Sequence, residues 1–216
     1  MKFLEETTSD LMHATFLRAE FWGENNFVRV REGIKRGLPY YTSITHGMSY
    51  SEIEGIIENP DITNDLHNSI RKGILRIVRW KLIDTIPPST RWYKAILDGN
   101  DLRELLIINC LEWAKMYGIG IRNLREIVDT IVNNPKNGRP DLLAEFKRLL
   151  KYKNCDFDKT LILIGSSWNG PFTIIEGNHR AVTLYYRYVK LNPDVEYPSH
   201  EVLVGIHKSK ETYLFE

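Results

Sequence analysis

The stretch LILIGSSWNGPFTIIEGNHRAV, residues 161–182, decides how the chain is read. It opens with Leu161-Ile162-Leu163-Ile164, a wholly apolar run ended by Gly165, as expected of a strand buried on both faces. The polar turn Ser166-Ser167-Trp168-Asn169-Gly170-Pro171 separates it from a second apolar run, Phe172–Ile175. The two runs predict a hairpin with a loop of about six residues, longer than the commonest types. Glu176–His179 then reads as a strand-to-helix loop and Arg180–Val189 as the helix it feeds, with Ala181, Leu184 and Tyr188 on one face. A last strand, Glu201–Ile206, returns to the sheet.

The loop Glu176-Gly177-Asn178-His179-Arg180 carries the chemistry. Backbone N–H groups point outward where a strand leads into a helix, and the helix dipole adds positive potential there, so phosphate is favoured. Gly177 lets a phosphate approach the backbone, while His179 and Arg180 add side-chain donors, arginine's planar fork suiting phosphate oxygens. Asn178 can orient a ligand. Glu176, at the strand end, can act as a base, hold Mg²⁺ or bond a hydroxyl. The same string also reads as an exposed capping turn with no ligand. Ser166, Ser167 and Asn169 are ligand contacts or plain turn residues, and Trp168 is a stacking platform or packs on the N-terminal helices.

Working outward, Thr8–Trp22 predicts a helix with Leu11, Ala14, Leu17 and Phe21 inward and Ser9 or Asp10 as cap. Ser49–Glu58 predicts another, with a Ser49/Glu52 capping box, and Asn64–Ile83 a third, with Leu66, Ile70, Ile74, Ile77 and Val78 inward. Pro87-Pro88 breaks the pattern. It divides a helical segment, residues 1–86, from a sheet domain, residues 87–216. Thr90–Leu97 follows as a strand, with Arg91 and Tyr93 on one face and Trp92 and Lys94 on the other, and Arg91 or Lys94 is a candidate phosphate contact. Asp101 opens a helix running through Leu102, Leu105, Leu106 and Ile108–Cys110, closed by Trp113; further helices cover Asn123–Val132 and Pro140–Tyr152. Asp101 and Glu104 fall in a first helical turn, where the dipole alone favours acids. Gly118-Ile119-Gly120 lacks the preceding strand and third glycine of a dinucleotide fingerprint.

The chain has 216 residues, 43% hydrophobic and 26% charged, a composition that fits folded globular protein and excludes wholesale disorder. Cys110 and Cys155 form no CxxC pair, which argues against structural zinc, and His46, His67, His200 and His207 show no metal spacing. The start turns acidic before any long apolar run, and no later run reaches the length of a membrane span, so a cytoplasmic protein is expected. A net charge of +1 gives no general pull toward nucleic acid. The local exception is Arg71, Lys72, Arg76, Arg79 and Lys81, a solvated helix face or a polyanion-binding one.

The order of strand, turn, strand, Glu-Gly-Asn-His-Arg and helix resembles the ParB/sulfiredoxin superfamily, as a fold pattern over residues 90–206 and specifically over residues 161–184. The resemblance implies an α/β domain, a small mixed sheet with flanking helices, preceded here by the helical segment. Sulfiredoxins carry a Gly-Gly-Cys-His-Arg loop that cradles ATP phosphates, and the superfamily's free-serine kinases carry Asp-Gly-His-His-Arg. Gly177, His179 and Arg180 fit both patterns, and Glu176 keeps an acid where the kinases have Asp. Asn178 stands where sulfiredoxin has its catalytic cysteine, which excludes sulfinic-acid repair. ParB proteins have a Glu-Arg-Arg type loop, which this chain lacks.

The resemblance therefore implies an ATP- and Mg²⁺-using phosphotransferase acting on a small hydroxylated molecule. Gly177, Asn178, His179, Arg180, Ser166 and Ser167 would hold the nucleotide, Glu176 the metal, and Glu176, His179, Asp101 or Glu104 would serve catalysis. The rival readings are a nucleotide-responsive protein that contacts DNA or RNA through the Arg71–Lys81 face, and a nuclease. The helical segment would cap the site or form a homodimer surface.

Overall fold

The computed structural model describes residues 1–23, 27–110, 122–133, 144, 160–208 and 214–215. It is a mixed α/β protein with a six-stranded open sheet and a helical N-terminal region. The chain divides into two compact units, residues 7–88 and residues 1–6 with 89–216. The first six residues thus belong with the sheet, where the sequence reading had helical structure from the start.

The helical unit contains α1 (Ser9–Glu20), α2 (Phe27–Lys35), α3 (Pro39–Ile44), α4 (Tyr50–Glu58) and α5 (Asp65–Thr85). Thr8, rather than Ser9 or Asp10, caps α1, its hydroxyl accepting the Leu11 N–H at 3.3 Å. The expected Ser49/Glu52 capping box is present at α4. Along α5, Ile70, Ile74 and Leu75 are buried, but Leu66, the second residue of the helix, is 42% exposed. Ile77 and Val78 are half-buried just before Arg79, whose φ/ψ of −119°/27° interrupts the helix.

The sheet unit contains β1 (Lys2–Thr7), β2 (Arg91–Leu97), α6 (Gly99–Glu104), β3 (Leu106–Ile107), β4 (Asn109–Cys110), α7 (Leu124–Asn133), β5 (Leu161–Gly165), β6 (Phe172–Glu176), α8 (Asn178–Tyr185), β7 (His200–Ile206) and β8 (Leu214–Phe215). A π-helical turn, Tyr186–Leu191, continues α8. The main sheet runs β1-β2-β7-β5-β6-β3, and β4 pairs with β8 separately. The β5–β6 hairpin forms in antiparallel register with a bulge at Ile162/Leu163. Both faces of β5 are buried, as its unbroken apolar run requires. Trp92 and Tyr93 are buried together, so β2 is covered on both faces, not one.

The helix expected to run from Asp101 to Cys110 stops at Glu104. Leu105 is already extended, and Leu106–Ile107 adds to β6 as a parallel edge strand. A short apolar run reads equally as buried helix or strand, and here the open edge of β6 decides between them. The cap of α6 is Asp98, with Asp101 completing the box at its third position. The predicted helix at residues 140–152, apart from Ala144, lies outside the described residues, as do Trp113, Cys155 and the Gly118–Gly120 segment.

Strand directions fix what meets at each end of the sheet. Leu97 pairs with His200, Leu161 with Val202, Ile162 with Glu176, and Ile107 with Ile174. One edge therefore collects the ends of β2, β6 and β3 and the starts of β5 and β7. The opposite edge carries the hairpin turn.

Candidate functional site

The β6–α8 turn lies on the first of these edges. Gly177 has φ +94° and ψ 22°, the left-handed region that an L side chain rarely adopts. A Cβ here would also meet Leu161 Cδ2 at 2.5 Å and Arg180 Nη1 at 3.1 Å, so both backbone and packing demand glycine. The helix starts at Asn178, two residues earlier than the sequence suggested, which puts Asn178, His179 and Arg180 in its first turn. Ala181 N–H is bonded to Gly177 O at 2.9 Å, so the amides of these three residues precede the first i→i−4 bond of the helix.

The side chains of the turn divide by role. Asn178 Oδ1 accepts the Ile108 N–H at 3.1 Å and so ties the chain just beyond β3 to the start of α8. His179 is exposed; its carbonyl accepts the Thr183 hydroxyl at 2.9 Å. Arg180 turns inward and donates from Nη1 to the Thr160 carbonyl at 3.3 Å. Burial lowers the pKa of its guanidinium, and the nearby Glu176 carboxylate acts in the opposite sense. Glu176, half-buried at the end of β6, is thus the acid beside a desolvated cation.

Asp101 and Glu104 reach the same edge but not the same spot. Three inter-strand spacings of about 4.8 Å separate the ends of β2 and β6, or about 14 Å. Asp101 is occupied: its carboxylate accepts the Asp98 N–H at 3.0 Å and the Met1 amino group. Glu104 is exposed on α6.

Ser166 and Ser167 sit at the opposite edge, a strand length of roughly 16 Å from Gly177. The Ser167 hydroxyl donates to Gly170 O at 2.9 Å and accepts the Asn169 N–H at 3.3 Å, so it shapes the hairpin turn. Trp168 packs on aromatic neighbours within the sheet unit. Its ring lies 4.6 Å from Phe3 and 4.6 Å from Tyr93, leaving it 49% exposed. At the same end Arg91 pairs with Glu6 at 2.5 Å, and Lys94 along the strand pairs with Glu5 at 2.7 Å.

The basic face of α5 is also largely committed. Arg71 is fully buried and donates to the carbonyls of Ile56 at 3.1 Å and Asp61 at 2.8 Å, and to Asn68 Oδ1. Arg76 pairs with Asp84 at 2.9 Å and Arg79 with Glu20 at 2.7 Å.

Sequence reasoning passed over Thr160, Leu161 and the Ile108 amide as parts of the turn. No local signal marks them, since each joins only through strand pairing. Among the described residues no group of three or more His, Cys, Asp or Glu side chains is placed to hold a metal ion. Nor is any helix among them long and apolar enough to cross a membrane. No family model, curated protein or solved structure matches the chain.

Proposed function

We propose that the chain is an ATP-binding enzyme of the ParB/sulfiredoxin type, which transfers a phosphoryl group to a small hydroxylated molecule at the β6–α8 turn. The observation that supports this most is the construction of the turn. A strand ends in Glu176, a left-handed glycine reverses the chain, and a helix begins with His179 exposed and Arg180 half-buried beside the acid. Backbone amides at such a helix start favour phosphate without any further side chain. His179 adds an exposed donor. Arg180 supplies a cation in a poorly solvated place, where its field on a phosphate is least screened.

Glu176 is the residue assigned to the base and to Mg²⁺, because Asp101 is engaged in capping α6. A single carboxylate suits this ion when it arrives with a nucleotide, as Mg²⁺ keeps several waters and takes its other ligands from phosphates. When bound, ATP supplies the phosphoryl group and Mg²⁺ offsets its charge. Glu176 accepts the proton of the acceptor hydroxyl, and the turn's amides with His179 hold the phosphates in place.

A thermal-unfolding screen of the full chain with nucleotides and Mg²⁺ tests this, since a ligand at about 100 times its dissociation constant adds roughly 2.7 kcal/mol of stability. ATP should raise the midpoint. His179→Ala, at an exposed position, should reduce that rise without lowering the unliganded midpoint. Glu176→Gln should keep binding and lose turnover. If no nucleotide shifts the parent protein, the turn is a helix start and nothing more.

A further inference from the structure

A concave region opens about 14 Å along the same sheet edge from the β6–α8 turn, where α6 follows β2. It is a cleft of about 310 Å³ between α6, the π-helical turn and the segment that leads into β7. That volume lies at the lower end of the range for small-molecule sites. One wall is Tyr197, held from three sides. Its ring stacks on His200 at 5.0 Å, Tyr188 meets it edge-on at 5.3 Å, and Gly99 packs so closely that a Cβ there would lie 3.1 Å from Tyr197 Cβ. Tyr188, which also lines the cleft, belongs to the π-helical turn, a form of helix that often marks functional sites.

The Tyr197 hydroxyl is buried, out of reach of a ligand in the cleft, with no hydrogen-bond partner among the described residues, and burial raises its pKa. What points to a ligand is a cation. Arg103 lines the cleft, is exposed, and has no ion-pair partner among the described residues. Of the acids in the wall, Asp98 is committed to the amides of Asn100 and Asp101, at 2.8 and 2.9 Å, and Glu196 is exposed. Beyond the cleft, Arg125 and Lys190 share the single carboxylate of Asp129, at 4.0 and 2.5 Å. Arg103, Arg125 and Lys190 all act on the buried Tyr185, which gathers these cations around one helix cluster.

We propose that this cleft binds a small molecule with one anionic group and a flat body, the anion on Arg103 and the body against Tyr188. Asn100 and Ser199, both exposed in the cleft, supply the remaining polar contacts. The site is separate from the β6–α8 turn and does not depend on a nucleotide binding there.

Phenyl phosphate is a suitable probe, with inorganic phosphate and phenol as its two halves, titrated into the full-length chain and followed by amide and arginine side-chain NMR signals. Saturable shifts at Asn100, Arg103 and Ser199 are expected with phenyl phosphate, weaker ones with inorganic phosphate, and weaker still with phenol. Arg103→Ala should reduce affinity for phenyl phosphate about ten- to a hundredfold, the loss expected of one charge-assisted hydrogen bond. Arg103→Lys, which keeps the charge but not the fork, should fall between, and the exposed position leaves the fold of both variants intact. The proposal is overturned if millimolar phenyl phosphate leaves these signals unmoved, if phenol binds as tightly as phenyl phosphate, or if Arg103→Ala binds as tightly as the parent.

Discussion

Arg71 in the helical unit and Arg180 in the sheet unit are both inward-turned arginines that donate to backbone carbonyls, yet their surroundings differ. Arg71 is fully buried and its guanidinium closes two carbonyls and an asparagine side chain, so it joins α4 and the following loop to α5. Arg180 donates to the Thr160 carbonyl at 3.3 Å, lies near the Glu176 carboxylate and follows an exposed histidine on the helix. Both began as candidate anion-binding residues in a basic or glycine-containing string. The sequence string alone does not tell the two apart, because the partners of each guanidinium come from tertiary structure.

The largest test of the contrast is Arg71→Met. It keeps much of the side-chain bulk but leaves the Ile56 and Asp61 carbonyls without this donor, and should cost about 3 kcal/mol or more in urea unfolding. Any ligand response of the sheet unit should survive at a temperature where the variant is folded. A selective loss of ligand binding with unchanged stability would reverse the roles assigned to the two arginines.

The second test uses a neighbour of Arg71. His13 is 6% exposed, lies 4.0 Å from Asp10, and has its pKa lowered to about 4 by burial and by the cations Lys72 and Arg71. Its folded pKa is below the unfolded value of 6.5, so the unfolded chain binds more protons between these limits. The direction follows: stability holds above pH 6.5 and falls as pH drops from 6.5 toward 4, by up to about 3 kcal/mol. His13→Leu should flatten that slope in unfolding curves taken across the window. An unchanged slope would assign the pH response to other groups.

The smallest effect is expected at Asn178. Asn178→Ala removes the acceptor of the Ile108 N–H and should cost about 1 kcal/mol, with faster hydrogen exchange at that amide. If nucleotide affinity fell far more than stability, Asn178 would be a ligand contact as well as a tie.

The hairpin and the strand-to-helix turn were legible because residues 161–182 combine two apolar runs with unambiguous punctuation. Local chemistry also gave the Ser49/Glu52 box and the break at Pro87-Pro88. Strand β1 was not legible, since Lys2–Thr7 is mostly exposed and shows no strict alternation. Nor was the end of α6, because the run Leu105–Ile108 suits helix and strand alike and the edge of β6 decides it. Among site residues, Gly177 was singled out for the close approach of a phosphate, whereas its left-handed φ and its packing on Leu161 were not legible. Ser166 and Ser167 were grouped with it because they are near in sequence, whereas a hairpin sends its turn and its chain ends to opposite edges.

The position of β7 has a consequence for how the chain reaches this state. It is the only described strand that touches both β2 and β5, and it lies after them in the chain. During synthesis the pair β1-β2 and the group β5-β6-β3 must wait, each with an unfilled edge, until residues 200–206 have left the ribosome. Closing the sheet then pairs residues 200–206 with residues 91–97, more than a hundred positions earlier in the chain, a step of high contact order that folds slowly and leaves apolar edges open meanwhile. A nascent chain halted before residue 200 should therefore be held by chaperones as two unjoined halves, and release through residue 206 should be the event that commits the sheet unit to its fold.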